Sequence, residues 1–163
     1  MSCTVRIWLE ISHHPAFRLG GWSFVRAVGG ELSGQAGGER RADAERAALA
    51  GLIAALGGLK AGDTAALHTS SDFVAALAVR LGAGEAGDGP SADNGDLWPK
   101  AKAAFAAPAV QVVRTSQTPG SPAAFAAAWA EFGRDKIKAK GSFAAPIPRA
   151  NLAKAGVPDA SAG

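Results

Sequence analysis

Residues Val5–Ile11 (VRIWLEI) place Val5, Ile7, Leu9 and Ile11 on one side and Arg6, Trp8 and Glu10 on the other. A period of two predicts a strand with one buried face, and with Trp8 half-covered on the opposite face. Ser12–Leu19, with Pro15 and two histidines, reads as a loop. Gly20–Val28 is a second strand, and Gly29-Gly30 is the tight turn into a third around Glu31–Ala36. The period then changes. Within Ala42–Leu59, Leu49, Leu52, Ile53, Leu56 and Leu59 recur at helical spacing, and Ala61-Gly62 stops the helix. Thr64–Thr69 is a short strand, and Ser70-Ser71 offers an N-cap to a helix over Asp72–Leu81. Gly82–Gly95 is a loop, Asp96–Phe105 a short helix broken by Pro108, and Val110–Arg114 a β-branched strand. A turn over Gln117–Pro122 leads into an alanine-rich helix, Ala123–Ile137, carrying Phe125, Trp129 and Phe132.

This order predicts an α/β domain over residues 1–139. It is a mixed five-stranded sheet of three antiparallel strands and two parallel additions, with helices on both faces. Residues 140–163 have three prolines and little periodicity, and read as a basic, Pro/Ala-rich tail that is flexible or lies along the body.

Composition narrows the core. Apolar residues make up 48% of 163, but 39 of them are alanine and only 33 are Leu, Ile, Val or Phe. The core therefore rests on few large side chains. No run of about 18 apolar residues exists to span a bilayer. The alternating N-terminus is unlike a signal peptide, and the single Cys3 excludes a disulfide framework and a cysteine zinc cage. A soluble cytoplasmic protein without membrane contact is expected. The formal net charge of +3 is unevenly placed: residues 1–135 carry 12 Lys/Arg against 13 Asp/Glu, and residues 136–163 carry five against one. The basicity belongs to the tail, whose cations suit an electrostatic tether for nucleic acid or an acidic partner. Two other signals carry little. Gly82-Ala-Gly84-Glu-Ala-Gly87 matches a dinucleotide string but follows a helix rather than a strand. His13-His14 are adjacent, so on an extended segment their rings point apart.

Six strings in order resemble the ribonuclease H family over roughly residues 4–138. VRIWLEI is similar to its first strand, with Glu10 at the place of the first metal-binding aspartate. GGWSFV resembles its second-strand motif, and AERAALAGLIAAL its first helix, whose catalytic glutamate falls on Glu45. LHTSSDFV resembles the next strand–helix junction, DNGDLWPKAKAAF the DLW helix, and VQVVRTSQTPGSPAA the last strand and its turn. The resemblance implies two Mg²⁺ or Mn²⁺ ions held by four carboxylates, cleaving the RNA of RNA–DNA hybrids. It also shows departures. The third carboxylate falls on Ser70, the fourth on Ala128, and the turn histidine near Gln117 or Thr118.

Glu10 and Glu45 are thus the candidate metal ligands, with Asp72 as a third carboxylate if the junction is registered differently. As the first-turn acid of a helix, Asp72 also needs no function. The loop that grips duplex in many family members is acidic here, with Glu85, Asp88, Asp93 and Asp96. Arg40, Arg41, Lys60, Lys100 and Lys102 remain as candidate nucleic-acid contacts. Three functions follow from the resemblance. One is a ribonuclease H-fold protein impaired in catalysis that acts as a nucleic-acid-binding module, for RNA–DNA hybrid or single strands, or as an interaction module. A second is a divergent metal-dependent ribonuclease, and a third is a protein-binding module with no nucleic-acid role.

Overall fold

The computed structural model describes residues 4–84 and 94–158, so Glu85, Asp88 and Asp93 of the acidic loop, and Gly87 of the glycine string, lie outside the described residues. The elements run β1 (Thr4–His14), β2 (Leu19–Val28), β3 (Glu31–Arg40), α1 (Ala44–Leu56), β4 (Thr64–Thr69), α2 (Asp72–Gly82), α3 (Trp98–Ala106), β5 (Ala109–Arg114), α4 (Pro122–Lys140), β6 (Phe143–Pro146) and α5 (Arg149–Leu152).

The strands form one sheet in the order β5-β4-β1-β2-β3-β6. β1, β2 and β3 are antiparallel neighbours, while β4 lies parallel to β1 and β5 parallel to β4. The expected five-stranded sheet is therefore corrected to six strands. The chain leaves α4 through Gly141, at φ 75°, and lays Phe143–Pro146 antiparallel on β3, with Gly38↔Phe143 and Gln35↔Pro146 in register. Pro146 tolerates this place because an edge strand does not need every N–H. Ile147 and Leu152, each 3% exposed, then pack with Val25 and Ala36. Residues 143–158 thus lie along the body rather than trailing from it.

Helices cover both faces. Val5, Ile7 and Leu9 of β1 and Leu67 of β4 meet Leu49, Leu52 and Leu56 of α1, Val74, Leu77 and Leu81 of α2, and Trp98 and Phe105 of α3. Caps fix the starts of these helices: Asp43 accepts from the Arg46 N–H, and Ser71 from the Val74 N–H. On the opposite face, α4 turns a seam of Ala123, Ala126, Ala130, Gly133 and Ile137 to β1, β2 and β3. The seam is nearly free of large side chains, so helix and sheet backbones come together. A Cβ on Gly21 would sit 2.6 Å from the Arg134 nitrogen, and one on Gly133 2.6 Å from the Gly37 carbonyl oxygen.

This close cover changes the picture of β1. Both of its faces are buried, and Trp8 is 6% exposed rather than half-covered. Its ring stacks on His68 at 4.9 Å under the Arg6 guanidinium. Burial, with Arg6 nearby, lowers the His68 pKa.

Candidate functional site

The alternation of β1 that sends Leu9 to the α1 core sends Glu10 to the α4 face, where it is 1% exposed. Trp8 is paired with His68 in the parallel β1–β4 ladder, so Ser70, directly after β4, lies beside Glu10. Ser70 then holds the carboxylate with two donors. Its backbone N–H donates to Oε2 at 2.8 Å and its hydroxyl to Oε1 at 2.6 Å. Gln117, in the turn after β5, donates to the Ser70 hydroxyl oxygen at 2.9 Å and reaches Glu10 Oε1 at 3.5 Å. The Arg114 guanidinium donates to the Ser70 carbonyl at 3.0 Å and to Asp72 at 2.6 Å, which pins the loop. Burial pushes the Glu10 pKa up. Ser70, Gln117 and the charge of Arg114 oppose that push.

Glu45 stands in the first turn of α1 and is tied elsewhere. It accepts 2.6 Å from the Asn94 amide, a fully buried group that also donates to Asp43 at 3.3 Å. Arg46 next to it joins Glu39 at 2.6 Å to Asp96 at 2.9 Å. Hydrogen bonding to Arg46 holds the Asp96 carboxyl below its ordinary value, and Asp96 in turn raises the Arg46 pKa. The start of α1 is thereby bolted to the loop before α3. Glu10 and Glu45 share no hydrogen-bond partner among the described residues.

The other candidates fall apart spatially. Asp72 is 96% exposed at its side chain and paired with Arg114, as a first-turn acid of α2. Ala128 is exposed on α4, off the inner seam. Lys60 precedes β4 and sits at the end of the sheet opposite Glu10, with its N–H on Asp63. Lys100 and Lys102 are exposed on α3. Arg40 caps the last turn of α4, donating to the Ile137 and Lys138 carbonyls at 3.2 Å. Arg41, exposed, follows β3 with φ 56°.

A two-ion centre does not fit these residues. Magnesium and manganese need oxygen lone pairs, preferably from several carboxylates. At Glu10 the neighbouring groups are donors: an N–H, an O–H and an amide. Directly across β2, the Ser23 hydroxyl is a single neutral oxygen with no partner among the described residues. Among the described residues, no three His, Cys, Asp or Glu side chains converge to hold an ion. What the arrangement does is immobilise one buried carboxylate and brace the β4–α2 junction against the turn after β5.

Two residues that hold these carboxylates, one at Glu10 and one at Glu45, carry no signal of their own in the sequence. Gln117 was visible only as the residue in place of a histidine, and Asn94 lay in a polar loop. Their roles arise from contacts 107 and 49 residues apart in sequence.

No protein-family model and no curated protein sequence matches the chain. Solved structures do. The N-terminal ribonuclease H domain of a Mycobacterium tuberculosis protein, solved as a fusion with maltose-binding protein, is 20% identical with a TM-score of 0.61, covering 84% of this chain and 97% of that one. LC9 ribonuclease H1, described as a type 1 enzyme with the type 2 active-site motif, is 15% identical with a TM-score of 0.60, covering 100% and 92%. Ribonuclease H1 from the halophilic archaeon Halobacterium salinarum is 19% identical with a TM-score of 0.57, covering 82% and 98%. The chain has the ribonuclease H-like fold.

Proposed function

We propose that this chain is a ribonuclease H-fold module that has lost two-metal hydrolysis and acts by binding nucleic acid. The observation that carries the first half is the knot at Glu10. A carboxylate that an ion would need is buried, with each of its oxygens accepting a hydrogen bond from Ser70, and Gln117 locks the Ser70 hydroxyl in place. Nucleic acid as the ligand rests on the fold and on the exposed Arg40 and Arg41 at the end of β3. No helix among the described residues is long and apolar enough to cross a membrane, so no membrane role is proposed.

Manganese titration followed by electron paramagnetic resonance tests the loss of the metal centre. Wild-type protein is expected to bind no ion tighter than millimolar. Ser70→Asp, which returns a carboxylate to the junction and removes the hydroxyl donor, is expected to bind Mn²⁺ at least tenfold more tightly. A micromolar site in the wild type that Glu45→Ala abolishes would contradict the proposal and favour a divergent nuclease built on Glu10 and Glu45.

A further inference from the structure

Residues 136–163 carry five Lys/Arg against one Asp/Glu, and part of that segment builds a surface. β6 and Pro148 lie beside α4, and the gap between them is a recess of about 220 Å³. From α4 it is lined by Trp129, Phe132 and Lys136, and from the other side by Phe143, Pro146 and Pro148. Trp129 and Phe132 meet edge to face at 5.2 Å, and Phe125 extends the row at 6.3 Å. Among the described residues that line the recess there is no Leu, Ile or Val, so its larger apolar side chains are all rings. Phe132 keeps 46% of its surface exposed there.

The rim is cationic. The Lys136 ammonium lies 4.9 Å from the Phe132 centroid and has no carboxylate partner among the described residues. Glu131 and Asp135, its neighbours on α4, both face Arg134 instead. Arg149, exposed, directly follows Pro148 on the opposite rim. Glu31 lines an adjoining depression with Arg149, and among the described residues the two form no ion pair. β6 is the last strand of the sheet, so the backbone groups on its outer edge have no strand partner. Glu10, Ser23, Ala36 and Ala145 form one row across β1, β2, β3 and β6, and both alanines line the recess. The recess therefore stands three strands from Glu10, roughly 14 Å at the usual strand spacing.

We propose that this recess binds single-stranded nucleic acid, with one unpaired base stacked on Phe132 and Lys136 and Arg149 contacting the flanking phosphates. Flat aromatic faces suit bases, each of which has a π-face, and only a strand free of its own duplex stacking can present one. The recess is smaller than the roughly 300–1,000 Å³ of a site for a drug-sized ligand, so it takes one ring system and leaves the rest of the strand outside. Unpaired cations on both rims favour an anionic chain over a neutral apolar segment, and their phosphate contacts release counterions. The open edge of β6 leaves N–H and C=O groups for the polar edge of the base. The proposal rests on the nucleic-acid reading above and assigns its surface and strand state.

The test is fluorescence anisotropy with a labelled twelve-nucleotide oligouridylate and a matched RNA–DNA hybrid, at low and moderate salt. Wild type is expected to prefer the single strand. Phe132→Ala is expected to weaken that binding about tenfold, and Phe132→Trp, which keeps a stacking face, to retain it. Lys136→Ala is expected to lower the slope of log K against log salt by about 0.7. Phe73→Ala removes a similarly exposed ring on α2, 44% against 46%, and is expected to leave binding unchanged. Unchanged binding in both Phe132→Ala and Lys136→Ala, an equal loss in Phe73→Ala, or tighter binding of the hybrid by wild type would overturn the recess as the site, while the nucleic-acid reading stands. Binding of neither probe at low salt would overturn both and point to a protein in the recess. Should Phe132→Ala melt well below wild type, the salt slope of Lys136→Ala decides.

Discussion

At the scale of single residues, Glu10 differs from an ordinary strand residue because its partners are donors and its surroundings are dry. A buried carboxylate with a raised pKa destabilises the folded state once it ionises. Between the ordinary carboxylate value and the raised folded value, the native state holds more protons than the unfolded state. Stability therefore falls as pH rises through that window and is flat below it. Glu10→Gln is expected to match or exceed wild-type stability at pH 7, with the gap closing toward pH 4, as chemical denaturation across pH would report. Ser70→Ala removes the hydroxyl donor that offsets this cost. It should lose roughly 1.5–3 kcal/mol at pH 7, and less at pH 4. If Ser70→Ala were neutral at pH 7, the hydroxyl would not be supporting the carboxylate.

At the scale of elements, the informative case is α4. Its seam of Ala123, Ala126, Ala130 and Gly133 lets it lie close on β1, β2 and β3, so the alanines that dilute the core elsewhere set a distance here. Gly133→Ala or Gly21→Ala drives a Cβ into backbone and is expected to cost roughly 3 kcal/mol or more. Gly82→Ala, at the end of α2 with open space around it, is expected to be neutral or to stabilise by about 0.5–1 kcal/mol. Thermal melts of the three variants check this ordering. The same elements show what the sequence makes legible. β4 was readable to the residue at Thr64–Thr69, and α1 and α2 to within a few residues, because period and caps act locally. β6 was not, because FAAP has neither alternation nor β-branching, and it forms a strand only when α4 delivers it to the open edge of β3. Trp8 is more covered than its alternation predicts for a similar reason: the cover over its face comes from elements that follow it in the chain by more than fifty residues. At the site, Glu10 and Ser70 were recognisable as positions, but their bond to each other depends on the β1–β4 register.

At the scale of the whole molecule, the sheet is closed on one edge by β6 and α5, which bury Ile147 and Leu152. Truncation after Lys140 is expected to lower stability by several kcal/mol, since full burial of each such side chain is worth about 1.5–3 kcal/mol. An unchanged melting temperature would mean that this segment adds no cover. The molecule that results keeps the ribonuclease H-like architecture while its candidate carboxylates, Glu10, Glu45 and Asp72, are each held by a different partner: Ser70, Asn94 and Arg114. We propose on these grounds a fold that serves binding without metal-dependent cleavage. A single incubation tests it most directly: wild-type protein with end-labelled RNA–DNA hybrid and with single-stranded RNA, in Mn²⁺, resolved on native and denaturing gels. The prediction is a shifted complex, with the RNA of full length after hours. Hybrid RNA cut by wild type and left intact by Glu45→Ala would contradict it.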